Sequence, residues 1–283
     1  MKIVEFIDAL TQYSFLQKAL LTSVMVGVIC GGIGCFIILR GMALMGDAIS
    51  HAVLPGVALS YMIGMNYFIG AVLTGVITAV GIGFVSQNSR IKHDMAIGIM
   101  FTSVFAIGII LITFMKSSSD LYHILFGNVL SVRSSDMWMT LIIGLVMLFY
   151  KELLVSTFDP TMAQSYGLPN KWIHYGLMIL LTMVTVASLQ TVGIILVVAM
   201  LITPAATAYL LTNRLWVMIY LAAGIGALSS VVGLYFSFSY NLASGATIVL
   251  VATFLFALAF FFSPSQGLFW RAIKIRKNRA ELS

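Results

Sequence analysis

Charge is the scarcest commodity in this sequence: 8% of the residues are Asp, Glu, Lys or Arg, against 61% hydrophobic and a mean hydropathy of +1.07. Soluble domains carry roughly 25% charged residues, and so few cannot dress a water-facing surface on a chain of 283 residues. Soluble enzymes and soluble binding modules are excluded on that ground. Cysteine numbers two, Cys30 and Cys35, both inside one apolar stretch and at a spacing that is neither a redox nor a zinc pattern. Both are expected to pack as small buried side chains. No GxxxxGK[ST] phosphate loop, no HExxH and no GxSxG occurs, so neither ATP hydrolysis nor the commonest membrane hydrolase chemistry is expected, and the chain is not read as an enzyme. No resident cofactor is expected either.

The net charge of +6 raises nucleic-acid binding, but its distribution points elsewhere. Five of the fifteen basic residues (Arg271, Lys274, Arg276, Lys277 and Arg279) crowd into the tail directly after an apolar run. Such juxtamembrane clusters mark a cytoplasmic end close to anionic lipid, and no recognition motif accompanies them.

What the chain has in quantity is apolar sequence in stretches of about 20 residues, the length that crosses a hydrocarbon core about 30 Å thick. Candidate spans cover 17–39, 47–64, 66–86, 96–115, 135–150, 172–190, 192–211, 215–236 and 240–262. These give an all-α, polytopic membrane protein of about nine helices, read as one domain over 1–283. Residues 1–15 mix Lys2, Glu5, Asp8, Thr11 and Gln12 with apolar positions and read as an interfacial amphipathic segment, not a cleavable signal. Residues 264–283 form the basic tail.

With the C-terminus inside, Arg40, Arg90, Lys92, Lys151, Lys171, Arg214 and the tail are cytoplasmic, whereas Lys2, Lys18, Lys116 and Arg133 are external. That is eleven basic residues inside and four outside, the asymmetry of the positive-inside rule. The segment from Lys116 to Asp136 is external and holds a short helix-like piece with His123. Residues 156–170 form the longest cytoplasmic loop, where Asp159-Pro160 reads as a helix start and Gly167 with Pro169 as its stop. The stretch from Arg40 to Gly46 is too short for a soluble loop and reads as re-entrant or partly unwound.

Of nine acidic residues, eight fall near membrane ends in this topology, and Asp47 alone lies within apolar sequence. His51 follows four residues later, on the same helical face. An ionisable residue inside a bilayer costs a few kcal/mol or more and marks a pathway or a bundle interior. Were helix continuous from Arg40, His51 would stand about 16 Å above the cytoplasmic boundary, close to the midplane. The neighbouring face carries Ala48, Ala52, Gly56 and Ser60, a stripe that lets another helix approach closely. Pro55 should bend the helix or release a carbonyl near the pair. A carboxylate with an imidazole suits Mn2+, Fe2+ or Zn2+; two ligands are too few for a closed site, which suits an ion that must leave. The alternatives are a proton relay and a buried couple that stabilises a helix junction. His93 and His174 lie at the cytoplasmic edge and are weaker candidates.

The run from Gly46 to Gly56 through Asp47, His51 and Pro55, the run from Gln190 to Ala208, and Tyr122-His123-Ile124-Leu125-Phe126-Gly127-Asn128 together resemble the ABC-3 permeases, importers of manganese, zinc or iron. The resemblance spans about 15–262 and is closest to the manganese type. It implies a type II ABC importer-like permease fold in the bacterial plasma membrane and a homodimer with two cytoplasmic ATPase subunits. It also implies an extracytoplasmic metal-binding protein. It further implies that Asp47 and His51 line the ion path, and that Phe158, Asp159, Pro160, Ala163 and Gly167 belong to the segment that couples to the ATPase.

Overall fold

Apolar residues in runs of this length have only one way to satisfy their backbone within lipid, which is hydrogen bonding inside a helix. The computed structural model describes residues 2–114 and 170–263, and every regular element among them is an α-helix. In chain order these are α1 (Lys2–Gln12), α2 (Ser14–Leu39), α3 (Met45–Ala52), α4 (Leu54–Ile63), α5 (Tyr67–Asn88), α6 (His93–Phe114), α7 (Asn170–Val192), α8 (Ile194–Leu211), α9 (Leu215–Tyr240) and α10 (Ser244–Phe262). Seven of them, α2 and α5–α10, are long and apolar enough to cross a membrane. With α3 and α4 as a split pair they account for eight of the nine expected spans; the ninth, 135–150, lies outside the described residues, as do the 116–136 segment, residues 156–169 and the tail 264–283.

In the 40–64 region the partly unwound reading of the stretch after Arg40 holds, and the single 47–64 span needs correction. The chain is not helical from Arg40 to Leu44, and Gly41 there takes φ +67°, a left-handed conformation open to glycine. The 16 Å depth, which assumed unbroken helix from Arg40, therefore does not apply. The expected 47–64 span is likewise two helices that meet at Val53. Pro55 has no N–H to donate to the His51 carbonyl four residues back, so the backbone ladder is interrupted at the joint. The break is gentle, since Val53 keeps helical angles (φ −75°, ψ −16°).

Contacts group the chain into two units, Met1–Ile38 with Ala199–Ser283, and Leu39–Val198. In the first, α2 and α9 cross at backbone contact: a Cβ on Gly27 would sit 2.7 Å from the Gly226 carbonyl oxygen, and one on Gly31 would sit 2.8 Å from that of Ala222. Ser230 on α9 donates its hydroxyl to the Ser23 carbonyl of α2 at 2.9 Å. Small residues at four-residue intervals on both helices permit this approach, which substitutes packing and a hydrogen bond for a hydrophobic force that lipid cannot supply. The Phe6 ring of α1 packs edge-on against Tyr235 and Phe238 of α9. Cys30 and Cys35 are buried in α2, as expected.

In the second unit, α5 is the central strut, touching α3, α4, α6 and α7. Gly56 of α4 lies against the Gly70 carbonyl and Thr74 of α5, and Ser60 meets Gly70 in turn. Ala48, Ala52, Gly56 and Ser60 are all buried, so the small-residue stripe faces protein.

Candidate functional site

With the stripe turned inward, the adjoining face of α3 carries Asp47 and His51. His51 Nε2 stands 3.6 Å from Asp47 Oδ1, with the side chains 32% and 48% exposed respectively. That separation is beyond a good hydrogen bond. It is close to the spacing of two neighbouring ligands on one ion: with metal–ligand bonds of about 2.1 Å, tetrahedral ligand atoms lie about 3.4 Å apart. A small rotamer adjustment would bring both atoms onto one cation. Among the described residues no third His, Cys, Asp or Glu joins them.

The His51 ring is held from α6. Its centroid is 5.8 Å from that of Phe101 and 5.6 Å from that of Phe105, the latter edge-on at 78°. Phe101 and Phe105 stack on each other at 5.7 Å. One turn further, Gly108 lies against Leu54 and Pro55, where a Cβ would be 3.0 Å from Leu54 Cβ and 3.1 Å from Pro55 Cδ. Positions 101, 105 and 108 form one helical face, so a single stripe of α6 carries the imidazole and accommodates the proline joint. Neither phenylalanine offers a hydrogen-bonding atom, so the contact with α6 does not occupy the ring nitrogens. Sequence reasoning missed this aromatic pair because Phe is common throughout the spans; its four-residue spacing was the available signal.

Of the weaker candidates, His93 and His174 come together with Arg40. Arg40 Nη1 is 3.4 Å from His174 Nδ1, and the two imidazole centroids are 6.0 Å apart. The topology read from the basic residues puts all three on the cytoplasmic side. His123 and the coupling candidates Phe158, Asp159, Pro160, Ala163 and Gly167 lie outside the described residues.

Comparison with known proteins gives the site its setting. The model of the ABC 3 transport family matches residues 12–263. The "Manganese transport system membrane protein MntC" of Listeria monocytogenes is 70% identical over 268 residues, covering 93% of this chain and 96% of that relative. The "Manganese import system permease protein ScaB" of Streptococcus parasanguinis is 52% identical over 286 residues, covering 99% of each. A solved structure of PsaBC from Streptococcus pneumoniae in complex with Fab superposes with a TM-score of 0.83 at 52% identity, covering 97% of this chain and 99% of that one. A second solved ABC transporter, in an inward-facing conformation, shares the fold at 16% identity and a TM-score of 0.67.

Proposed function

The chain belongs to the ABC 3 transport family, and from that premise we propose that it is the membrane-spanning subunit of an ATP-driven importer whose cargo is Mn2+. Relatives from 52% to 70% identical carry manganese transport in their names, which favours Mn2+ over the Zn2+ or Fe2+ that other members of such a family would carry. The observation that supports a bare cation as cargo is the Asp47–His51 couple, two convergent small-ion ligands in otherwise apolar helix. A carboxylate and an imidazole without thiolate suit a harder divalent ion.

Its own sequence has no phosphate loop; family membership supports two partner ATPase subunits on the cytoplasmic side that supply the energy and a binding protein that delivers the ion outside. Two copies of the chain enclose the path, and each contributes Asp47 and His51. The two pairs together make four ligands, and the ion is released when the helices move the pairs apart. The Pro55 joint between α3 and α4 gives the ligand-bearing helix a place to bend as the helices rearrange. Residues Phe158, Asp159, Pro160, Ala163 and Gly167 transmit the ATPase movement.

The test is uptake of radiolabelled Mn2+ by the reconstituted complex with Asp47→Ala or His51→Ala. Both variants should assemble normally and lose uptake. Parental uptake by both would remove the site assignment and leave the family membership untouched.

A further inference from the structure

The helix that carries Asp47 and His51 is eight residues long, and the backbone ladder is broken at both of its ends. Ahead of α3, Gly41 takes φ +67° in the non-helical stretch, and a Cβ there would meet nothing within 4 Å. Leu44 at the N-cap makes no side-chain capping hydrogen bond. The buried side chains flanking that cap are Met42 and Met45, and unbranched thioethers repack readily. Behind α3, Pro55 withholds the N–H that would close the ladder on the His51 carbonyl.

The helix that follows is held quite differently. A Cβ on Gly56 of α4 would run into the Gly70 backbone and the Thr74 hydroxyl of α5, and one on Gly70 would run into Ser60 and the Gly56 backbone. The turn that joins α4 to α5 is closed by Gly64 N–H on the Tyr61 carbonyl at 3.3 Å and Met65 N–H on the Ser60 carbonyl at 2.8 Å. Across it the Tyr61 and Tyr67 rings stack, with centroids 6.2 Å apart and planes at 17°. The two helices thus form one locked hairpin. From the other side, Gly108 of α6 meets Leu54 and Pro55 at the joint itself.

We propose that Pro55 is a positioning residue for transport: α3 pivots as a unit about the Val53–Pro55 joint while the α4–α5 hairpin stays fixed. The inference rests on Asp47 and His51 being the ion ligands. Val53 holds helical angles (φ −75°, ψ −16°), so the joint is nearly straight as it stands and a kink is the change open to it. At 1.5 Å per residue, His51 lies about 6 Å and Asp47 about 12 Å from the pivot along the axis. A proline kink of about 20° moves them by about 2 Å and 4 Å. Both ride on one helix, so their mutual geometry is kept, and what changes is their distance from ligands elsewhere. A displacement of about 4 Å is well beyond a metal–ligand bond of about 2.1 Å. The lever therefore releases an ion without dismantling the pair that held it.

The experiment uses the reconstituted complex with its ATPase. Pro55→Ala supplies the missing N–H and joins α3 to α4 as one helix. Residues 52–56 should then exchange amide hydrogen more slowly and the melting temperature should hold or rise. Equilibrium Mn2+ binding and the KM should stay parental, while the maximal uptake rate falls severalfold. Pro55→Gly, which keeps the joint weak, should retain more uptake than Pro55→Ala. In the parental complex, exchange over 41–54 should differ with and without ATP, and exchange over 56–75 should not. Should Pro55→Ala not assemble, that parental comparison carries the test. A parental uptake rate in Pro55→Ala despite slowed exchange at 52–56, or equal ATP-dependent changes in α3 and in α4–α5, would overturn the pivot. Uptake lost together with melting temperature, and no slowing at 52–56, would make Pro55 a packing residue only and overturn it as well. Parental uptake in Asp47→Ala and His51→Ala, with the ATP-dependent exchange of α3 intact, would count against the ligand reading alone.

Discussion

Gly108 offers a graded perturbation of the scaffold around the proposed ion site without touching Asp47 or His51. A Cβ there would stand 3.0 Å from Leu54 Cβ, 3.1 Å from Pro55 Cδ and 3.2 Å from Pro55 N, against an ordinary contact of 3.4–4 Å. Gly108→Ala therefore needs α6 to yield by a few tenths of an ångström. That cost is offset in part by alanine's better helix propensity, about 1 kcal/mol over glycine in a water-exposed helix, so the net change should be small. Gly108→Leu has no such latitude. Its branches would meet the backbone of a proline that cannot slide away, and overpacking of this kind costs about 1–3 kcal/mol or more. Any outward shift of α6 carries Phe101 and Phe105 with it and loosens the His51 ring. We expect Gly108→Ala to keep parental stability and Mn2+ uptake, and Gly108→Leu to lose stability in thermal denaturation and most uptake in vesicles. A leucine variant as stable and active as the parent would refute the packing argument, and an alanine variant as damaged as leucine would refute its gradation.

Two further expectations concern other contacts. Phe101→Leu combined with Phe105→Leu keeps apolar bulk but removes the edge-on clamp on His51, so the KM for Mn2+ should rise severalfold while the complex stays assembled; an unchanged KM would remove the clamp. Gly27→Val puts a side chain into the Gly226 backbone at the α2–α9 crossing. It should destabilise the protein by about 1–3 kcal/mol or more, checked by thermal denaturation in detergent against Gly98→Ala, where a Cβ meets nothing within 4 Å.

How far the sequence spoke differs from element to element. The long helices α2 and α5–α10 were legible because hydrocarbon thickness sets their length and hydropathy marks their place. Asp47 and His51 were legible because charge inside such a run is costly and therefore conspicuous. The division of 45–63 into α3 and α4 was half legible: Pro55 announced a disturbance, but whether it bends one helix or separates two depends on Val53, whose angles no propensity specifies. The unwound stretch at 40–44 was legible as a segment too short for a soluble loop, whereas the positive φ of Gly41 within it was one use of glycine among many. The meeting of Arg40, His93 and His174 and the α2–α9 crossing at Gly27 and Gly226 are long-range contacts. Small residues at four-residue spacing say that a helix can be approached, never by which neighbour.

In the proposed function, ATP hydrolysed by partner subunits drives a bare divalent ion through this chain. This is tested most directly by Mn2+ accumulation in proteoliposomes that hold the chain with or without its ATPase. Accumulation should occur only with the ATPase and ATP, and be lost on Asp47→Ala or His51→Ala. Accumulation by this chain alone, driven by a proton gradient, would contradict it.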